Sequence, residues 1–244
     1  MQRIFVPEHM DAPDADREEL DNALRLIRTV NRRLGGARAL IRHLKAWSAR
    51  WPKDRPITML DLGTGSADIP VAAVRWARSR GYALRVTGID NHETTLDLAR
   101  EHLEREGMTD AVTLVRQDAL GLVDHFGVRS FDYTHAGMFL HHLPEIEVLT
   151  ALRVMERLSR AGLVWNDLIR SRFAYAGIWL LTVGSSEMVR HDARVSVLKG
   201  FSRLEVVEYA KRLDLNWCRY RGSPWVGRFT LAGERPGAGP GAWS

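Results

Sequence analysis

Thr58-Met59-Leu60-Asp61-Leu62-Gly63-Thr64-Gly65-Ser66-Ala67-Asp68 is an apolar run that ends in a carboxylate and then in two glycines one residue apart. A strand that breaks into such a turn lets backbone touch a ligand, because Gly63 and Gly65 carry no Cβ to hold it away. A helix opening near Ala67 would aim its first amides at whatever lies in the turn. The stretch therefore predicts the start of a β-α-β unit around a nucleotide-type cofactor.

The acidic residues around the turn narrow the ligand. A dinucleotide fingerprint calls for a third glycine where Asp68 stands, and for no carboxylate where Asp61 stands. A cofactor with a cationic group, such as the ammonium of S-adenosylmethionine, suits Asp61 better than a pyrophosphate does. The next apolar run, Leu84-Arg85-Val86-Thr87-Gly88-Ile89-Asp90, ends in a second carboxylate placed to accept hydrogen bonds from ribose hydroxyls, with Asn91 beside it.

The alternation continues outward from this unit. Strands are expected near 57–62, 84–89, 111–115, 131–136 and 161–166, with helices near 67–80, 93–106 and 145–159 between them. Such alternation predicts an α/β, Rossmann-like, doubly wound sheet. Upstream, Asp16 to Arg50 reads as helical and broken at Gly35-Gly36, with Leu20, Leu24, Ile27, Val30 and Leu34 on one face. Residues 1–13 read as irregular. Downstream, 168–199 departs from the alternation as a candidate helical lid, and its apolar run Phe173 to Gly184 reads as a buried or site-lining helix. Ser202-Arg203-Leu204-Glu205 is a capping box opening a helix to about Leu213. Two runs, 215–221 and 225–231, read as an antiparallel pair of strands. The expected organisation is an N-terminal helical cap (1–56), a cofactor-binding domain (57–232) carrying the lid insertion, and a disordered Gly/Pro-rich tail (233–244).

Composition bounds the remaining possibilities. The 244 residues are 45% hydrophobic, enough for one well-filled α/β domain. Thirty-five basic residues are interspersed with 30 acids, so the net charge of +5 comes from no run that resembles a nucleic-acid arm. The lone Cys218 excludes an intramolecular disulfide framework, and no apolar stretch approaches the roughly 20 residues of a membrane span. A cytoplasmic protein, monomer or homodimer, is the expectation. No spacing of His, Cys, Asp and Glu suggests a metal.

Four motifs in order resemble the class I S-adenosylmethionine-dependent methyltransferases over roughly 57–232: Leu60-Asp61-Leu62-Gly63-Thr64-Gly65, the strand-ending Asp90, Gln117-Asp118-Ala119, and Phe139-Leu140-His141-His142-Leu143. The resemblance implies a seven-stranded sheet with an antiparallel last strand. It also implies that Asp61, Gly63, Thr64, Gly65 and Asp68 surround the methionine end of the cofactor, that Asp90 and Asn91 hold the ribose, and that Asp118 faces the adenine amine with Ala119 against the ring. The Asn/Asp-Pro-Pro-aromatic motif of adenine- and glutamine-directed enzymes is absent, since Thr134-His135-Ala136-Gly137-Met138-Phe139 stands there. The Leu-His-His-Leu form resembles the small-molecule branch of quinone and polyketide pathways.

Methyl transfer from a sulfonium is an in-line displacement, so alignment and exclusion of water are the main demands. If the acceptor is a phenol, whose pKa is about 10, a neutral imidazole can take its proton. His141 and His142 are the candidates, His141 by preference because the two point about 100° apart on a helical start; His191 in the lid is a further candidate. Both histidines of the pair could equally be structural. Asn166, Asp167 and Arg170 would position a substrate group or cap the next helix. Phe139, Trp165, Phe173, Tyr175, Trp179 and Met188 would line the substrate pocket under Trp47 and Trp51. The expected reaction is methylation of an oxygen, or less readily a carbon, of a small aromatic, quinone-like or polyketide-type molecule. The alternatives are an RNA or protein methyltransferase, motivated by a pI near 9.7, and a cofactor-binding regulatory protein without catalysis.

Overall fold

A computed structural model describes residues 1–12, 14–223 and 227–238. Two helices come first, α1 (Arg17–Arg33) and α2 (Gly36–Trp47). The break expected at Gly35-Gly36 is present, with Gly35 at φ +83°, where a side chain would be strained. Asp16 caps α1 by accepting from the backbone N–H groups of Glu18 and Glu19. Alternation then runs β1 (Ile57–Leu62), α3 (Asp68–Ser79), β2 (Leu84–Asp90), α4 (Glu93–Glu106), β3 (Val112–Arg116), a short α5 (Leu122–Phe126), β4 (Phe131–Gly137), α6 (Glu145–Leu158) and β5 (Ser159–Leu168). After it come α7 (Arg172–Leu181), α8 (Glu187–Lys199), α9 (Arg203–Arg212), β6 (Arg219–Ser223) and β7 (Arg228–Glu234). The Ser202–Glu205 capping box is formed in both directions.

The seven strands make one sheet in the order β3-β2-β1-β4-β5-β7-β6. β7 lies antiparallel to both β5 and β6, and the other neighbouring pairs are parallel. This is the expected mostly parallel sheet with an antiparallel last strand. Helices cover both faces, so β1 and β5 bury nearly every residue instead of alternating. Trp47, Trp51, Met59, Val74, Val86 and Tyr133 belong to the core on one side of the sheet. Leu60, Leu62, Leu152, Trp165, Phe201 and Phe229 belong to the core on the other.

The C-terminal strands lie later in the chain than the sequence suggested. β6 and β7 occupy 219–223 and 228–234 instead of 215–221 and 225–231, and residues 224–226 fall outside the described residues. Gly233 and Glu234, expected in a disordered tail, are the last rungs of β7, paired with Leu163 and Gly162. Arg235 continues this pairing through its N–H to the Ala161 carbonyl. Ala238 turns back to the Arg235 carbonyl, and 239–244 of the expected tail lie outside the described residues. The run Phe173 to Gly184 also differs from its expected buried state. α7 buries no residue completely, and Phe173 is 87% exposed.

Strand order reverses between β1 and β4, since β1 leads outward to β2 and β3 while β4 leads to β5 on the other side. In an open α/β sheet, that point leaves a crevice beyond the carboxyl ends of the strands. Here it receives the Gly63–Gly65 turn from β1 and the Met138–His142 segment from β4.

Candidate active site

A cavity of 330 Å3 fills this crevice, within the range of about 300–1,000 Å3 usual for small-molecule sites. Its β1–β2 wall is made mostly of backbone and carboxylates: Asp61, Gly63, Thr64, Gly65, Asp68, Asp90 and Asn91. Gly63 sits at φ +62°, and a Cβ there would fall 2.2 Å from the Phe139 ring. Gly65 sits at φ +52°, and a Cβ there would have only Leu24 within 4 Å. Glycine at 63 is thus required by a neighbouring ring, and at 65 by backbone conformation that leaves the space above it open.

The carboxylates of this wall are held in different ways. Asp90 accepts from the Gly65 N–H at 3.0 Å and the His92 N–H at 3.1 Å, which ties β2 to the glycine turn. Burial pushes the Asp90 carboxyl above its ordinary pKa against the pull of these N–H groups. Burial likewise raises Asp68, whose carboxylate accepts from the Asn31 amide at 3.1 Å. Asp61 accepts from the Thr64 hydroxyl at 2.8 Å and bonds His135 Nδ1 at 2.5 Å. His135 is fully buried in β4, the position expected of a sheet-face residue, and its Nε2 has no hydrogen-bond partner. An open cradle over Gly65, lined by buried and half-buried acids and backbone amides, fits a cofactor that carries hydroxyls and an ammonium group.

The opposite wall comes from β4, β5, α8 and the N-terminal segment. Met138 takes a left-handed conformation, φ +59°, immediately after β4, and its N–H bonds the Asn166 carbonyl. Such backbone in a non-glycine residue is costly and clusters at functional sites. The turn swings Phe139, His141 and His142 onto the cavity. His141 is 2% exposed, and its Nδ1 bonds Asp167 Oδ1 at 2.7 Å. Asp167 is itself fixed by the Trp165 indole N–H and by the Leu168 N–H. Burial opposes its ionisation, but His141 and these donors together hold it below the usual carboxylate range. An Nδ1–H donated to Asp167 leaves His141 Nε2 as the ring's basic nitrogen.

His142 also lines the cavity, instead of turning toward the sheet as its spacing from His141 suggested. Its Nδ1 bonds Asp11 at 2.7 Å and lies 3.7 Å from Glu8. Burial disfavours its cation, yet Glu8 and Asp11 outweigh burial and raise His142 to about 9. Glu8 is buried between the two histidines, Lys199 Nζ at 3.0 Å and the Ser196 hydroxyl at 2.8 Å. Burial works against the Glu8 carboxylate, and the His142 and Lys199 charges, with the His141 ring beside them, overcome it, so its pKa is lowered. The segment is fastened further by Arg3, which donates to the carbonyls of Lys199, His141 and Leu143, and by Asp192, which accepts from the N–H groups of His9 and Met10.

Several candidate residues lie elsewhere. Asp118 is exposed and off the cavity because its carboxylate turns back to the Leu120 N–H, and Ala119 is packed in the core beside it. Asn166 is fully buried, donating to the Gly36 carbonyl. Arg170 is taken up by Glu205 and the carbonyls of Gly200 and Met1, which joins β5 to α9. His191 pairs with Asp192 outside the cavity, and Trp179 is 48% exposed under Arg194. Trp165 is locked edge-on between Phe201 and Phe229, and Trp47 stacks on Tyr133, so none of the three indoles including Trp51 reaches the site. Phe173 instead lines a second, apolar cavity of 470 Å3 with Leu34, Gly177 and Leu181, which shares Val30, Leu168, Ile178, Val197 and Arg228 with the first.

Glu8, Met10, Asp11, Lys199 and Arg228 escaped the sequence reading. Nothing in the irregular segment 1–12 signals that it closes a site. Arg228 did leave a trace, a charge opening the buried strand Phe229-Thr230-Leu231.

Comparison with known proteins agrees with this fold. Residues 59–162 match the family model described as a methyltransferase domain. No curated protein sequence matches the chain. Among solved structures, the mitomycin 7-O-methyltransferase MmcR is similar with a TM-score of 0.60 at 17% identity, covering 94% of this chain and 61% of that one. Magnesium protoporphyrin IX methyltransferase from Synechocystis PCC 6803, solved with bound SAH, gives 0.56 at 13% identity and 83% coverage of each chain. An O-methyltransferase family protein from Burkholderia thailandensis gives 0.55 at 16% identity, covering 75% of this chain, which spans 52% of that protein's length. At these identities the likeness is one of fold.

Proposed function

With a methyltransferase domain at residues 59–162 as premise, we propose that this protein is an S-adenosylmethionine-dependent methyltransferase that methylates a hydroxyl oxygen of a small, largely apolar molecule. The observation that carries the oxygen assignment is the buried His141–Asp167 pair on the cavity wall facing the glycine turn. S-adenosylmethionine supplies the methyl group as a sulfonium electrophile. Asp61, Gly63, Thr64, Gly65, Asp68, Asp90 and Asn91 are the residues that would hold it.

The residues of the opposite wall then divide the work. Asp167 fixes the ring of His141 so that Nε2 is the basic nitrogen, and Nε2 takes the proton of the acceptor hydroxyl as that oxygen becomes nucleophilic. His142, raised to about 9, remains protonated at neutral pH and cannot serve as that base. Its positive charge instead pins the N-terminal segment through Asp11 and Glu8, which keeps water from the reacting groups. Phe139, stacked over Gly63, stands between the two walls.

Calorimetry with S-adenosylhomocysteine and incubation with methyl-labelled S-adenosylmethionine and a panel of phenols and quinols test the reading together. Cofactor binding with label on an acceptor oxygen is the expected result. No binding of either cofactor form would overturn the whole reading, and label found on carbon or nitrogen would overturn the oxygen assignment.

A further inference from the structure

Two cations are buried among the described residues, and they are treated differently. Lys199, 3% exposed, sits 3.0 Å from the Glu8 carboxylate. Arg228, 4% exposed, has no carboxylate within salt-bridge distance among the described residues. Its Nη2 donates to the neutral amide oxygen of Asn31 at 2.9 Å, and its buried Nη1 has no partner. Arginine is almost never fully buried unless paired, because an unpaired charge in the interior is costly. Burial lowers the guanidinium to about 10, with Asp167 and Asp68 opposing from a distance, so it is still charged at neutral pH. A charge kept at such cost, with donors to spare, points to an anion supplied from outside the chain.

The location says which kind of molecule brings it. Arg228 is part of the wall of both cavities, at the seam between the site of His141 and the apolar chamber formed by Leu34, Phe173, Gly177 and Leu181. A planar guanidinium fork matches a carboxylate. We propose that Arg228 is the receptor for a carboxylate on the methyl acceptor, whose apolar part occupies the second cavity: the substrate is an amphiphilic hydroxy acid. This rests on the methyl-transfer reading for the role of the first cavity and deepens it by naming the acceptor class.

The test measures binding of 4-hydroxyphenyl-alkanoic acids of increasing chain length, and of their primary amides, to protein with and without saturating S-adenosylhomocysteine. The acids should bind at least about tenfold more tightly than the amides, as a charge-assisted bond predicts, and affinity should rise with chain length. Arg228→Met should erase the preference while S-adenosylhomocysteine affinity stays within about twofold. Arg228→Gln, which keeps a neutral hydrogen-bonding group in the same place, should erase it as well and covers a methionine variant that fails to fold. Equal affinity of wild type for acids and amides would overturn the proposal. So would a loss of about tenfold or more in S-adenosylhomocysteine affinity in either variant, since the guanidinium would then serve the cofactor's own carboxylate. Failure of wild type to bind S-adenosylhomocysteine would strike the methyl-transfer reading alone, because the acid preference is measured without it too.

Discussion

The two walls of the crevice are built on opposite principles. The β1–β2 wall is assembled from neighbours in sequence: two glycines, a turn and strand-ending acids, held by backbone N–H groups such as that of Gly65 on Asp90. The β4–β5 wall joins the more local pair His141–Asp167 to charges far apart in the chain, Glu8 with Lys199 and Asp11 with His142. The first wall is rigid by conformation and the second by ion pairing, so the two should respond to different perturbations.

The strongest challenge to this contrast is a split between turnover and cofactor affinity. His141→Ala should lower kcat by about 10²–10⁴, the usual worth of a general base, and leave S-adenosylhomocysteine affinity nearly intact. Comparable loss of cofactor binding in isothermal titration would mean that the walls are not separable. Asp90→Ala should do the reverse, abolishing measurable cofactor affinity, because the Gly65 and His92 N–H groups lose their acceptor and the proposed ribose contact goes with it.

Next in size is Glu8→Gln. It leaves Lys199 buried without a counter-charge, which typically costs about 3–5 kcal/mol in chemical denaturation. A change below about 1 kcal/mol would show that ion pairing does not hold this wall.

A pH titration sharpens the same point. His142 is raised from an ordinary 6.5 to about 9, so its contribution is full below 6.5 and is lost as pH rises through 9. Glu8 and Asp11 are lowered, so theirs is present above the ordinary carboxylate range and is lost as pH falls through their folded values. Protection of residues 1–12 from hydrogen exchange, corrected for the intrinsic pH trend, should therefore be greatest between the ordinary carboxylate value of 4.5 and the ordinary imidazole value of 6.5 and fall off on both sides. His142→Asn should remove the alkaline limb only. The smallest effect is expected at Asp118→Ala, which loses one exposed turn hydrogen bond and should change cofactor affinity by less than about fivefold.

The same contrast explains what could be read in the sequence. β1 at 57–62 and α4 at 93–106 fall where periodicity and caps put them. The Ser202–Glu205 box and the break at Gly35-Gly36 likewise carry their structural reason within a few residues. The antiparallel β6–β7 pair was legible in kind but its ends lie two to four residues later, since burial pattern alone does not fix strand ends. The aromatic residues misled for a related reason. Trp165 is an apolar residue at a strand end in either role, and only the positions of Phe201 and Phe229 make it core. Glu8, Lys199 and Arg228 had no local partner to announce them; their meaning comes from the tertiary fold.

The pairing of Glu8 with Lys199 also sets a clock. The two are separated by 191 positions. A ribosome adding about 5–20 residues per second makes the lysine roughly 10–40 seconds after the glutamate. The glycine turn and Asp90 can be in place long before then. During synthesis the chain thus passes through a stage in which the donor wall exists and the acceptor wall is still without its buried cation. The order of manufacture thus completes the residues of the glycine-turn wall before those that close the other side of the crevice.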